Sequence, residues 1–257
     1  MKKALLIILC VLFLGIAGYS GYQIYLQLRE YNEGEKSYDH LAQYVQVEKM
    51  PEETEKVSNK KEDEEELQEE VINWPEVDFE ELRAINPDII GWIYIEGTYI
   101  NYPIVQGKDN DYYLYRLFDG TSNRAGSIFL DYQNQPDFSD RHNIVYGHHL
   151  KNDTMFAALM KYQDQKFYEE HPYAMILTPE KNYKLEFFAG YVTNTQDESW
   201  KLSFESDEEY LTWIENAVKK SSIESGIVPS AEDRVLTLST CAYDFDNARY
   251  VLLGVLK

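Results

Sequence analysis

The chain has two cysteines, and one of them stands where a thiol could do chemistry. Cys10 lies inside an uninterrupted apolar run, where a thiol behaves as a small hydrophobic group. Cys241 ends the segment RVLTLSTC, far from Cys10 along the chain, so we do not expect the two to pair. An unpaired thiol is either a reactive nucleophile or an inert residue buried at the end of a strand. The position of Cys241 alone leaves both interpretations open.

A catalytic thiol needs a base or a cation nearby, because its ordinary pKa of about 8.5 leaves it mostly protonated at neutral pH. His148 and His149 follow Tyr146-Gly147 at the end of a predicted strand, a junction that often holds functional side chains. The other three histidines lie in a stalk, at the start of a strand and before a proline (His40, His142, His171). We therefore take His148 and His149 as candidate bases, with ordinary packing as the alternative.

Arg249 is the candidate cation. A hairpin centred on Phe245 would place Cys241 and Arg249 directly opposite each other. Opposed residues of an antiparallel pair share one face of the sheet, with Cα atoms about 4.5–5.5 Å apart. A guanidinium there would favour the thiolate and could donate hydrogen bonds to an oxyanion. A register slip of one residue would move Arg249 to the other face, where it would be a solvated surface residue.

Other chemistries find little support in the sequence. The formal net charge of −21 argues against nucleic acid as a partner, because phosphate binding needs a basic surface. The chain has no GxxxxGK[ST] and no HExxH, and two cysteines exclude a four-cysteine zinc site. His148 and His149 would point apart on an extended backbone and make a poor metal pair. We therefore expect neither a cofactor nor a metal ion.

The N-terminus predicts a membrane anchor. Residues 1–3 form a short cytoplasmic tip with two lysines, and residues 4–26 are an apolar run long enough to cross a hydrocarbon core of roughly 30 Å. The basic residues in front predict a cytoplasmic N-terminus and an extracellular main domain. A cleaved signal peptide, processed near Gly15-Ile16-Ala17, is the alternative. We favour the uncleaved anchor because the apolar run is longer than a usual signal core.

A stalk and an acidic linker are predicted over residues 27–70, before a folded domain over 71–257. The segment 48–70 holds eleven acidic residues and four lysines, so it repels itself and cannot bury apolar surface. The stalk up to residue 44 has helical character. Much of the negative charge therefore belongs to a tether and does not indicate a substrate.

The domain is predicted to be mostly β. Eight short β-rich runs lie at residues 89–95, 98–105, 127–130, 143–147, 173–178, 183–193, 234–240 and 249–256. Helices are predicted from Asp78 to the residue before Asn86-Pro87, over 153–162, and from a capping box at Ser206 to about Ser221. This pattern favours a closed or nearly closed barrel with a few flanking helices.

Several of these segments together resemble a class B sortase. The resemblance is carried by TLSTC at 237–241, by an arginine eight positions later, and by YGHH at 146–149. It extends through NPDIIGWIYIEGTYINYPIVQ at 86–106, DNDYYL at 109–114, GSIFLD at 126–131 and NDTMF at 152–156. It covers roughly residue 79 to the C-terminus, and the anchor and stalk match as well.

The resemblance implies an eight-stranded sortase barrel and a membrane-anchored cysteine transpeptidase of a Gram-positive bacterium. Such enzymes cleave a sorting signal of a secreted protein after its threonine and transfer the acyl group to an amine, which the resemblance implies is that of a lipid-linked peptidoglycan precursor or another amine acceptor. By position, Cys241 would be the nucleophile, His148 the general acid/base, and Arg249 the group that holds substrate and oxyanion. Four residues would support them: the Ala242 N–H as a second oxyanion donor, and Ser239, Thr240 and His149 as neighbours.

Two alternatives remain at this stage. One is a cysteine peptidase that only hydrolyses, which differs in whether an amine outcompetes water for the thioester. The other is a surface-anchored binding domain without catalysis, in which Cys241 is inert. The sequence does not reveal the sorting signal, the amine acceptor or a choice between wall anchoring and pilus assembly, although we favour wall anchoring.

Overall fold

The computed structural model of the chain describes residues 2–46, 72–242 and 247–257, with Cys241 described by its main chain. The predicted acidic linker over 48–70 lies outside the described residues. So does Phe245, the centre of the predicted hairpin loop.

Eight strands close into a barrel, as predicted. Two short strands, β1 (Val45–Gln46) and β2 (Glu76–Val77), pair with each other outside it. The barrel strands are β3 (Ile89–Tyr94), β4 (Asn101–Val105), β5 (Ile128–Leu130), β6 (His142–Tyr146), β7 (Tyr173–Leu177), β8 (Tyr183–Asn194), β9 (Arg234–Cys241) and β10 (Ala248–Leu256). Their order around the barrel is β10, β8, β7, β3, β4, β5, β6 and β9, and β9 pairs again with β10. The pairs β4–β5 and β6–β9 are parallel, whereas the other pairs are antiparallel.

The α-helices are α1 (Lys2–Asp39), α2 (Phe79–Ile85), α3 (Gln165–Glu170) and α4 (Asp207–Lys220). Both predicted N-caps are confirmed: Asp78 accepts a hydrogen bond from the Glu81 N–H, and Ser206 accepts one from the Glu209 N–H. A 3₁₀ helix, His40–Tyr44, continues α1, so the predicted helical character of the stalk is confirmed as well.

The helix predicted over residues 153–162 is wrong in its first half. A 3₁₀ helix begins only at Ala157, and Asp153 and Met155 have positive φ angles of 61° and 57°. Long-range contacts hold this path, because the Met155 N–H donates to the Tyr102 hydroxyl at 3.1 Å and the Phe156 N–H donates to the His148 carbonyl at 2.9 Å. The segment after the histidine pair is therefore a loop fixed by the barrel.

Two hydrophobic clusters fix the register of β9 and β10. Leu236, Leu238 and Tyr250 belong to the main core of the barrel. Val235, Val251 and Leu253 belong to a second cluster that includes Trp213 of α4. Odd- and even-numbered residues of these strands are thus buried on opposite faces, and a slip of one residue would move each set to the other face. The burial pattern therefore removes the register ambiguity that the sequence left open.

The end of α1 packs against the barrel. Tyr38 contacts the main core, in which Leu41 and Val45 are buried, so residues before the linker contribute to the folded unit. The domain boundary at residue 71 stays a prediction. Among the described residues, α1 is the one helix long and apolar enough to cross a membrane, and its apolar part is exposed.

His142 is a buried histidine that stabilises the packing of β6. Its Nδ1 lies 2.7 Å from the Lys201 carbonyl oxygen, which only accepts, so Nδ1 carries the proton of the neutral ring. Its Nε2 then accepts from the Thr237 hydroxyl at 2.7 Å. Burial lowers the pKa of His142 to about 4, against a smaller opposing effect of the hydrogen bond to the Lys201 carbonyl.

We expect acid to destabilise the fold through His142. Because its folded pKa of about 4 lies below the ordinary 6.5, the unfolded chain binds more protons between these values. The stability present above pH 6.5 should therefore be lost as the pH falls towards 4, by about 3 kcal/mol in total. Thermal unfolding of the full chain across this range measures the loss. His142→Gln, which keeps a donor and an acceptor, should show a flatter pH dependence; an unchanged slope would contradict the assignment.

Candidate active site

The pairing of β9 with β10 places Cys241 directly opposite Arg249, as predicted. The next pair outward is bonded, because the Ala242 N–H donates to the Ala248 carbonyl at 3.0 Å. Bonded and non-bonded pairs alternate along an antiparallel ladder, so the pair of Cys241 and Arg249 is a non-bonded one, the closer type with Cα atoms about 4.5 Å apart. The Ala242 N–H would have to leave the Ala248 carbonyl to serve an oxyanion.

Arg249 is held by a main-chain carbonyl. Its Nη1 donates to the Ala248 carbonyl at 2.9 Å, and the side chain is half-buried. No ion pair joins Arg249 to a carboxylate in the described ranges 2–46, 72–242 and 247–257.

His148 is positioned by the end of β6 and by a distant main-chain carbonyl. The Gly147 N–H donates to the Ser239 carbonyl at 3.1 Å and continues the pairing with β9. A Cβ at Gly147 would lie 2.4 Å from Ile128 Cδ1, so only glycine fits there. His148 Nε2 lies 2.6 Å from the Leu114 carbonyl oxygen and carries a proton, since that oxygen only accepts. In the neutral ring, Nδ1 is thus the nitrogen with the lone pair.

The surroundings of His148 favour its neutral form. Burial lowers the pKa of the imidazole, and the positive charge of Arg249 lowers it further. The hydrogen bond to the Leu114 carbonyl opposes both effects without reversing the direction. Arg249 is therefore close enough to His148 to act on its charge.

One cavity of about 260 Å³ collects most of the predicted site. His148, Arg249, Ser239 and Thr240 line it, together with Asn110, Leu114, Phe129, Tyr146 and Gly147. Thr240 is followed by Cys241, so the predicted nucleophile adjoins the cavity along the chain. His149 is not among the lining residues and forms a β-bridge with Met155 instead. The structure thus brings His148 and Arg249 to one cavity, whereas His149 does not line it.

Comparisons with known proteins agree on one family. The model of the sortase domain matches residues 93–257 of the chain. The chain belongs to the sortase family. Sortase B of Staphylococcus aureus (strain NCTC 8325 / PS 47) is 39% identical over 178 residues, which are 68% of this chain and 73% of that protein. Sortase B of Listeria monocytogenes (serovar 1/2a, strain EGD-e) is also 39% identical over 178 residues, 68% of this chain and 72% of that protein.

Solved structures of sortases extend the agreement to the fold. A structure described as the S. aureus sortase B–substrate complex matches with a TM-score of 0.67 and 38% sequence identity, covering 70% of this chain and 84% of that one. Sortase B of Clostridium perfringens matches with a TM-score of 0.66 and 38% identity, covering 70% of this chain and 100% of that one. The predicted resemblance to class B and the predicted barrel are both confirmed.

Sequence reasoning missed a polar network behind the cavity of this sortase. The buried Asp131 carboxylate accepts from the Tyr146 hydroxyl at 2.9 Å and from Asn110 Nδ2 at 2.8 Å. Burial and the Asp131 charge raise the pKa of Tyr146, so its hydroxyl stays a donor. The sequence signal that could have indicated this network was an aspartate, Asp131, directly after β5. In the described part of the chain, no group of three or more metal-ligating side chains occurs.

Proposed function

We propose that this sortase is a membrane-anchored cysteine transpeptidase, a thiol peptidase of the hydrolase class. It cleaves a sorting signal after threonine and transfers the protein to an amine of the cell-wall precursor. The proposal depends mainly on one observation: Arg249 is paired with Cys241 and lines the cavity that His148 lines. A relative solved as a substrate complex supports a peptide substrate.

In the first half of the proposed reaction, the Cys241 thiolate attacks the threonine carbonyl. Arg249 stabilises the developing oxyanion by hydrogen bonds and charge. His148, protonated on both ring nitrogens, gives its Nδ1 proton to the leaving amide nitrogen while Nε2 stays bonded to the Leu114 carbonyl. The carbon–nitrogen bond breaks, a free amine departs, and a thioester remains on Cys241.

In the second half, an acceptor amine attacks the thioester. The neutral His148 ring takes a proton from this amine at Nδ1, a new amide bond forms, and Cys241 leaves as a thiolate. His148 is charged again and ready for the next cycle. Water competes with the amine at this step and yields a free acid. The lowered pKa of His148 favours the neutral ring that the amine needs.

The proposed setting is the outer face of a Gram-positive membrane. α1 would be the uncleaved single-pass anchor, with its two lysines on the cytoplasmic side and the barrel outside. Secreted proteins with a sorting signal and a lipid-linked amine would then meet the site at the membrane. We favour wall anchoring as the outcome. No cofactor or metal takes part in the proposed steps.

Transfer should dominate over hydrolysis when an amine is present. We expect a pentapeptide library, incubated with the full chain, to give an acyl adduct on Cys241 that mass spectrometry can identify. Adding oligoglycine or a diaminopimelate-type amine should convert the released product from the free acid to the amide conjugate. Release of free acid alone with every amine would favour the hydrolytic peptidase.

The alkylation rate of Cys241 distinguishes a reactive thiol from an inert one. The alkylation rate of Cys241 at neutral pH should exceed that of free cysteine and fall in His148→Ala and Arg249→Met. A rate no faster than that of free cysteine, and unaffected by both substitutions, would favour the non-catalytic binding domain.

A further inference from the structure

α1 runs without a break from its apolar part into the part that packs on the barrel. The apolar run covers residues 4–26, and the helix continues to Asp39. Two side-chain contacts with helical spacing support the junction. Gln27 Nε2 donates to the Tyr31 hydroxyl at 2.8 Å, and the Arg29 guanidinium lies 3.2 Å from the Glu33 carboxylate. The junction is therefore helical and does not act as a loose tether.

Contact with the barrel begins four residues after the apolar run, about 6 Å further along the helix axis. The Glu30 carbonyl accepts from Asn123 Nδ2 at 2.9 Å, and the Glu30 carboxylate accepts from the Arg124 N–H at 2.9 Å. One turn later, Gly34 is packed so closely that an added Cβ would lie 3.3 Å from Ala125 Cβ. The loop that contains Asn123 is thus fastened to the helix close to its apolar end.

The same loop reaches the level of the expected membrane interface. Three tyrosines, at residues 19, 22 and 25, are exposed near the end of the apolar run, and aromatic residues are enriched where a spanning helix leaves the hydrocarbon core. Ser122 lines one surface depression together with Gln23 and Leu26. Ser122 is also exposed, so this part of the barrel surface lies beside the last turns of the apolar run.

We propose that the loop 119–124 rests on the phospholipid headgroup layer, so that α1 holds the active site at a fixed height above the bilayer. This inference rests on the proposed role of α1 as an anchor. The Tyr38 hydroxyl donates to the Gly126 carbonyl at 2.7 Å, and Gly126 packs against the ring of His148. Tyr38 lies twelve residues beyond Leu26, so its main chain is about 18 Å along the helix axis from the end of the apolar run.

A depth measurement tests the contact. Ser122→Cys and Gln43→Cys are each labelled with one fluorophore in the full chain carrying Cys10→Ala and Cys241→Ala. Each is reconstituted into phosphatidylcholine vesicles with and without a nitroxide-headgroup lipid. Both positions are exposed, and Gln43 lies beyond Asp39, the last residue of α1, which is thirteen residues and so about 20 Å past Leu26 along the helix axis. We expect the nitroxide lipid to quench the Ser122 probe about twofold more than the Gln43 probe, because of that distance.

A lengthened helix supplies the matched control. Seven helix-forming residues inserted between Leu26 and Gln27 keep the helix face nearly constant and raise the barrel by about 10 Å. The Ser122 probe should then lose its extra quenching. Equal quenching of the Ser122 and Gln43 probes in the original chain would overturn the contact with lipid. Because the measurement needs no catalysis, that result would leave the transpeptidase proposal standing, whereas failure of the chain to float with the vesicles would overturn the anchor itself.

Discussion

Cys241→Ala should abolish both peptide cleavage and transfer, with a loss of at least about 10⁴-fold in kcat/KM. The substitution removes the atom that forms the thioester, and neither His148 nor Arg249 can replace it. The domain should still fold, because the pairing of β9 with β10 depends on main-chain bonds and on residues buried further along both strands. Product formation by mass spectrometry and thermal unfolding measure the two expectations separately.

Cys10→Ala is the matched control, since it removes the other thiol of the chain from the exposed apolar part of α1. It should retain cleavage and transfer. Normal transfer by Cys241→Ala would contradict the proposed mechanism directly. Loss of activity in Cys10→Ala but not in Cys241→Ala would show that the essential thiol is Cys10 in α1, and would contradict the mechanism as well.

The barrel could be predicted because each strand is recognisable from its own stretch of sequence. Each strand is a short run of β-branched and aromatic residues between turn signals, and each of the eight predicted runs overlaps one strand of the barrel. The opposition of Cys241 and Arg249 was predictable for a related reason: the two strands are neighbours in sequence, and a hairpin centred midway between these residues pairs them. Only the burial of both faces of these strands excluded a slipped register.

The rest of the site depends on contacts between residues far apart in sequence. The Leu114 carbonyl that orients His148 lies 34 positions away, and any residue type can supply a carbonyl. The buried Asp131 network joins three separate segments, so it could not be predicted from the sequence either. The loop after His149 was mistaken for a helix, because its sequence suits one and the hydrogen bond from Met155 to Tyr102 overrides that preference.

The docking of the stalk on the barrel could not be predicted from the sequence for a similar reason. Gly34 and Tyr38 contact the segment that packs on His148, yet a glycine and a tyrosine in a helix carry no sign of their partners. The sequence predicts that a stalk exists, and the structure places its end beside the candidate site. For this sortase, the end of α1 is therefore part of the surroundings of the candidate active site.

Separate substitution of the two neighbouring histidines should show that His148 is the general acid/base. His148→Ala should lower kcat/KM by about 10²–10⁴-fold, because proton transfer to the leaving amine and from the acceptor amine is lost. His149→Ala should cost less than about tenfold, since His149 lies outside the cavity and pairs with Met155. The reverse ranking would show that the other ring is the catalytic one.

A titration of the His148 ring, followed by NMR in the full chain, separates a catalytic role from a structural one. Its pKa should lie below the ordinary 6.5, because burial and the charge of Arg249 both disfavour the imidazolium. Arg249→Gln removes one of these two causes, so the pKa should rise towards 6.5. Transfer needs the neutral ring to accept a proton from the amine, so the transfer rate falls on the acid side of this pKa. That acid limb should move to higher pH together with the pKa. A limb that stayed in place while the pKa moved would exclude His148 as the base of that step.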